Sequence, residues 1–422
     1  MEKAKLKKNS LIYLLIVLYP ILPLNIYIGP LSLANIDSLA IVMLFFLKKG
    51  NLKIKNVFKY DMLFWIYLVV YGVFSFLTAS MMAGIAWFIS TIAVSLVLIH
   101  LINSEEDVYR IIDSLSISAF VLGFIGIFES LSRHYLIQTV IFEEWSDRFR
   151  YGLLRCAGPF GHPINFAFFQ AIAALFCFYR LQNGNISKQK KRFLIFTYLI
   201  AIISMMMTVS RLPICFFVAA QFILIIRLGV RKAVKYMMSA TILVVMLLII
   251  LDTAGIGVFT FIFDLFASLL KMVGITSSID YSTVKGFGNR LDLYSWVFNA
   301  VGKDFLFGKG INATFEYKLA DWFTKTSIEV HYLYIYFRCG LVGVCSLVLS
   351  YIGTLKLFIK NRYLHFQSEK KIQLVPTLIS ILLLYYICLF GVQETDLTRL
   401  YCELIAIGIA YIRVCKRIKF TE

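Results

Sequence analysis

Apolar runs, most of them 16–20 residues long, recur from Leu11 to Cys415 and alternate with short polar stretches. A lipid-embedded backbone must satisfy its own polar groups, and runs of that length do so as helices. The two-residue alternation of a membrane β-barrel is absent from the pattern. The runs predict twelve spans, near residues 11–28, 31–47, 62–79, 82–102, 115–131, 160–179, 193–209, 212–226, 234–251, 330–355, 373–391 and 397–414. The expected fold class is all-α: a polytopic integral membrane protein of about 12 transmembrane helices, residues 1–422 forming one membrane domain. The first run follows a basic stretch as in a signal peptide, but no small-residue cleavage site follows, so it reads as a retained helix.

Charge then orients the pattern. Of the 42 Lys and Arg, 28 fall in loops and tails that alternate spans place on one side. The positive-inside rule makes that side the cytoplasm, with both termini there. The net charge of +18 follows from that bias and needs no nucleic-acid partner. The stretch 256–273 is apolar enough to span, but crossing would turn every later basic loop outward. It reads instead as an interfacial helix, with Asp264 and Lys271 on one face, inside a long external loop, 253–328, between helices 9 and 10. A shorter external loop covers 132–158.

Seven basic residues outside that loop face outward, and all are arginine: Arg133, Arg148, Arg150, Arg155, Arg211, Arg338 and Arg399. Arginine grips phosphate or carboxylate as a planar fork, so the bias suits anion recognition; interfacial anchoring is the competing reading. The eight cysteines form no CxxC pair, and only Cys156 reads as external and loop-borne. The five histidines are scattered without metal-ligand spacing, so no metal and no cofactor is expected.

Four stretches share the external face: "RCAGPFGHPINFA" (155–167), "VSRLP" (209–213), "GNRLDLYSWVFNAVGKDFLFGKG" (288–310) and "EVHYLYIYFRCGLVG" (329–343). Their order resembles the bacterial O-antigen polymerase and O-antigen ligase superfamily of membrane glycosyltransferases. The matching positions are Arg155, Gly158, Pro163 and Asn165; Ser210 and Arg211; Arg290, Trp296, Gly308 and Gly310; and His331, Gly340 and Gly343. The family commonly has Asn after the His, where this chain has Tyr332. The resemblance implies a donor oligosaccharide on undecaprenyl diphosphate, and transfer of the sugar to an acceptor hydroxyl. It implies an enzyme that polymerises repeat units into capsule or O-antigen type glycan, or a ligase of the same fold. A chain-length regulator and a flippase of the same pathway are the implied protein partners.

Diphosphate is a leaving group that needs charge neutralisation. The chain has no external Asp-x-Asp motif to hold a metal for that purpose, so arginines are the candidates. Arg211 and Arg290 are expected to clamp the diphosphate, with Arg155 as a third contact. Against this, Arg211 as a headgroup anchor and Arg290 as an ion-pair partner of Asp292 or Asp304 remain open. His331 is the candidate base, with Glu329, Glu394 or Asp396 as substitutes. Arg338, seven residues further, shares the His331 helix face about 10 Å deeper, and either meets the diphosphate or pairs with Glu129 or Asp37. Trp296, Trp145, Trp322 and Tyr332, Tyr334 and Tyr336 are candidates to stack on sugars, or members of an interfacial aromatic belt. The rival class is a lipid-linked oligosaccharide flippase, which should place ionisable groups near the bilayer midplane. Asp37, Glu129, Arg338 and Glu403 are the few available.

Overall fold

A computed structural model describes residues 10–19, 22, 26–28, 31–49, 62–137, 149–150, 152–183, 186–229, 288–320, 323–367, 369, 372–393 and 397–419. The predicted span 234–251, the stretch 256–273, and Trp145, Arg148, Trp322, Glu394 and Asp396 lie outside the described residues. The side chains of 288–292 are outside them too, including those of Arg290 and Asp292.

The described chain is mostly helical. Its helices are α1 (Ser10–Leu18), α2 (Leu33–Lys49), α3 (Met62–Thr78), α4 (Met81–Leu101), α5 (Glu105–Ser132), α6 (Pro163–Gln182), α7 (Lys188–Met207), α8 (Arg211–Ile226), α9 (Gly288–Val301), α10 (His331–Lys360), α11 (Leu374–Cys388) and α12 (Thr398–Lys419). Three two-stranded antiparallel ribbons sit between helices: β1–β2 (Tyr27–Ile28, Leu31–Ser32), β3–β4 (Phe149–Arg150, Leu153–Leu154) and β5–β6 (Tyr317–Ala320, Phe323–Lys325). Four helices, α4, α5, α6 and α10, are long and apolar enough to cross a membrane. Leu33–Leu47, Leu63–Thr78, Arg211–Ile226 and Leu374–Cys388 are apolar but shorter. The first run does not stay helical to residue 28. α1 ends at Leu18, because Pro20 and Pro23 remove donors and push the preceding residues out of the helical region.

Local chemistry sets the helix ends. Ser104 and Asp107 form a capping box at the start of α5, where Glu105, Glu106 and Asp107 face the helix dipole. Pro163 opens α6, and His162 caps it. Within α4, residues Phe88–Ala93 widen into a π-turn.

The core is apolar and continuous, with α6 and α12 buried along most of their lengths. Large apolar side chains also cover the outside: Leu47 is 79% exposed, Leu77 72%, Leu131 66% and Val218 60%. An apolar exterior of this extent suits lipid contact.

The two ends of the bundle differ. At one end, buried Glu369 accepts the hydroxyls of Tyr179 and Tyr411, and the backbone N–H of Phe366 and Leu374 at 3.1 Å each. Burial raises its pKa, which these four donors counter. Asp113 pairs there with Lys190 and with Arg180 at 3.4 Å. The other end carries Thr78, Ser210, His331 and Leu389, and four of the sequence motifs meet there.

Candidate functional site

The centre of that end is a break in α10. Gly340 has φ 62° and ψ −158°, so the helical hydrogen-bond ladder is interrupted around it. A loop after α9 fills the gap. Lys309 N–H donates to the Phe337 carbonyl (2.8 Å) and Gly310 N–H to the Arg338 carbonyl (2.9 Å). Below the break, Leu341 and Val342 donate to the carbonyls of Phe305 (2.8 Å) and Leu306 (3.1 Å). The backbones approach so closely that only glycine fits. A Cβ on Gly308 would stand 2.6 Å from the Arg338 carbonyl carbon, and Gly308 itself has φ 73°. Gly310 then touches Thr78, and Ile311 N–H bonds the Thr78 hydroxyl at 2.9 Å, tying the loop to the end of α3. The glycines of "GKG" and "CGLVG" are thus parts of one joint.

The break divides α10. Leu341–Lys360, at about 1.5 Å per residue, runs about 30 Å, the depth of a hydrocarbon core. His331–Cys339 is the outer piece, and its Arg338 carbonyl is joined to the end of α3 through Gly310 and Thr78. Arg338 is half-buried beside the break. Its guanidinium lies 4.2 Å from the centre of the Tyr334 ring, with the Tyr71 hydroxyl within its electrostatic reach. His331 stacks on the same Tyr334, ring centres 6.3 Å apart, and so joins the same group. The His331 ring is buried, and its backbone N–H donates to Leu389 at the end of α11. Glu329 precedes the helix, half-buried, since α10 begins at His331 with Val330 as its cap.

Neither carboxylate considered for Arg338 reaches it. Glu129 is fully buried and accepts the backbone N–H of Gly158 (2.9 Å), Ala157 (3.1 Å) and Leu136 (3.2 Å). Asp37 belongs to α2, and neither of its buried oxygens has a hydrogen-bond partner among the described residues.

Glu129 organises the second half of the site, the strap from residue 152 to 162. Ser130 Oγ donates to the Leu154 carbonyl (2.7 Å), and Tyr135 Oη to the Arg155 carbonyl (3.0 Å). Held this way, Arg155 points inward and is 2% exposed. Its Nε donates to the Thr208 carbonyl (3.1 Å) and its Nη2 to Ser210 Oγ (3.3 Å). Those acceptors belong to the α7–α8 turn, in which Val209 has φ 51° and which ends at Arg211. The "RCAG" and "VSRLP" motifs are therefore in direct contact, and Arg155 sets the position of the Arg211 backbone. Arg211, half-buried, is the first residue of α8. α8 packs on α11, which links this turn to the helix end that bonds His331.

His162 closes the strap. Its Nδ1 accepts the Ile164 N–H at 3.1 Å, which requires an unprotonated nitrogen. Burial, then the charges of Arg155 and Arg150, push its pKa down to about 3. Cys156, expected as an external loop cysteine, is instead fully buried and donates to the Ser204 carbonyl at 3.4 Å.

Arg290 lies in the first turn of α9, and Trp296, half-buried, lies in the same helix. α9 packs on α10, where Phe298 meets Tyr336 with ring centres 5.0 Å apart. Sequence reasoning missed Tyr71, Glu129 as a loop holder, and the joint at Gly340. Only the glycine spacing signalled the last. Among the described residues no group of three or more His, Cys, Asp or Glu is arranged to hold a metal ion.

Comparison with protein-family models and with curated proteins finds no match for this chain.

Proposed function

We propose that the chain is a membrane glycosyltransferase of the O-antigen polymerase and ligase type, polymerising undecaprenyl-diphosphate-linked repeat units on the external face of a bacterial plasma membrane. The observation that supports this reading most is the contact between separate arginine motifs at one end of the bundle. Arg155 bonds the turn that presents Arg211, and the glycine loop after α9 joins α10 beside Arg338. A site built from arginine at the rim of an apolar bundle suits a lipid diphosphate, whose charge lies at the membrane surface.

In this reading the acceptor hydroxyl oxygen bonds the anomeric carbon as the bond from that carbon to the diphosphate oxygen breaks. Undecaprenyl diphosphate leaves with the electron pair. Arg211 and Arg290 neutralise the charge that develops on it, and Arg338 approaches from the α10 side. His331 takes the hydroxyl proton, with Glu329 as substitute. Arg155 acts by positioning, since two of its donors hold the Thr208–Ser210 turn. Trp296 is placed to stack on a sugar ring. No divalent metal is needed, so activity should survive EDTA. Loss that added metal restores would contradict that assignment.

The experiment is the glycan profile of cells lacking this gene, with lipid-linked intermediates sided by access of an external enzyme. Single repeat units outside, without long chains, support the polymerase. Long lipid-linked chains that never reach an acceptor point to a ligase. Single units confined to the cytoplasmic leaflet point to a flippase and overturn the reading.

A further inference from the structure

Arg399 is one of the outward arginines of the sequence, but its contacts lie between helices. It hydrogen-bonds Asn35 of α2, and its guanidinium lies 5.1 Å from the centre of the Tyr19 ring, which follows α1. Glu403, one helical turn further along α12, is 5% exposed. Three buried atoms of this group have no hydrogen-bond partner among the described residues: Arg399 Nη1, Glu403 Oε2 and Tyr19 Oη. Buried polar atoms are normally satisfied, and one left unpaired costs free energy, most of all on a charged group.

These three residues line one cavity of about 10 Å³, which is about the room one water molecule needs. Ser90 and Ser95 of α4 share the lining. Both serine hydroxyls donate to backbone carbonyls, Ser90 to Trp87 (3.3 Å) and Ser95 to Thr91 (2.6 Å), which leaves oxygen lone pairs as further acceptors. The cavity is therefore small and polar, and its polar groups come from α4, α12 and the residue after α1.

The chemistry of the lining selects the guest. A guanidinium N–H can only donate, and a carboxylate oxygen can only accept. A guest between them must accept from one and donate to the other. The guanidinium and the carboxylate cancel in charge, so the lining suits a neutral molecule better than an ion. Buried waters make about three hydrogen bonds, and Arg399, Glu403 and Tyr19 offer that number. We infer that the cavity binds one water molecule that bridges Arg399 Nη1 to Glu403 Oε2, with Tyr19 Oη as its third partner. The bridge ties α12 to the end of α1, and the Arg399–Asn35 bond extends the tie to α2.

The test is a structure of the purified full chain in nanodiscs, by electron cryomicroscopy at a resolution that shows ordered water. The expected map has one peak in the cavity, within hydrogen-bond distance of both Arg399 Nη1 and Glu403 Oε2. A direct bond between those two atoms, or a cavity without density, would overturn the proposal. Glu403→Met removes the acceptor, and its map should lose the peak while keeping the Arg399–Asn35 bond. A peak unchanged in that variant would assign the water to other groups and overturn the bridge. Melting temperatures of Arg399→Met, Glu403→Met and the double variant give a second reading. The double variant should lose less than the two single losses together, because it leaves no unpaired charge behind, and additive losses would count against the bridge.

Discussion

Gly308 and Gly340 cross backbone to backbone, and each occupies space that the other's chain leaves no room to share. A Cβ on Gly340 would stand 2.4 Å from the Leu306 carbonyl carbon, and Gly340 also has φ 62°. Replacing it with alanine adds left-handed strain of about 1–3 kcal/mol to that clash. We expect Gly340→Ala and Gly308→Ala to lower the melting temperature of the purified protein. Gly152→Ala, also at positive φ but with nothing within 4 Å of its Cβ, should lower it less. Equal losses at all three positions would mean that strain alone, without the crossing, sets the cost.

Arg155 and Ser210 are predicted to be energetically coupled. A double-mutant cycle of Arg155→Gln and Ser210→Ala should give a coupling of about 0.5–3 kcal/mol in unfolding free energy, as for residues in one buried network. Additive losses would show that the 3.3 Å contact does not hold the turn.

His162 makes stability depend on pH. Its folded pKa is pushed down to about 3, below the usual value of 6.5. A depressed histidine favours the folded state fully above 6.5, and that contribution is lost as pH falls toward 3. The melting temperature should therefore drop on acidification from pH 7 to pH 4. In His162→Asn, which keeps a capping side chain, the drop should be smaller. An unchanged pH slope in the variant would place the sensitive group elsewhere.

Arg211→Lys is predicted to lose activity by roughly a hundredfold, because an ammonium cannot reproduce the planar fork at a developing oxyanion. Glycan length on cells carrying the variant is the readout, with protein level checked in the membrane fraction. Near-normal long chains would remove Arg211 from the diphosphate clamp.

The helices were legible because lipid imposes long apolar runs, and α6 even announces its start through Pro163. The break in α10 was not, since a glycine inside an apolar run reads equally well as close helix packing. Only the partner segment 304–310, far away in sequence, shows why Gly340 must be glycine. The same limit applies to Arg155 and Glu129. Their charges suggested a ligand and an ion pair, whereas the structure gives two Arg155 donors and the Glu129 oxygens to loop and turn groups. Which polar atoms a backbone turn will consume depends on tertiary contacts, and no local pattern carries that information. The shared Tyr334 platform of His331 and Arg338 was partly visible, because spacing of seven puts both on one helical face.

The proposed activity is formation of glycosidic bonds at the end of the bundle that carries Arg155, Arg211 and Arg338. The most direct measurement reconstitutes the purified protein in liposomes with undecaprenyl-diphosphate-linked repeat units and follows the glycan products by gel and mass spectrometry. The expected result is a ladder of longer lipid-linked glycans with release of undecaprenyl diphosphate, formed roughly a hundredfold more slowly by Arg211→Lys. Transfer of intact single units between leaflets, with no new glycosidic bond, would contradict it and make the chain a transporter.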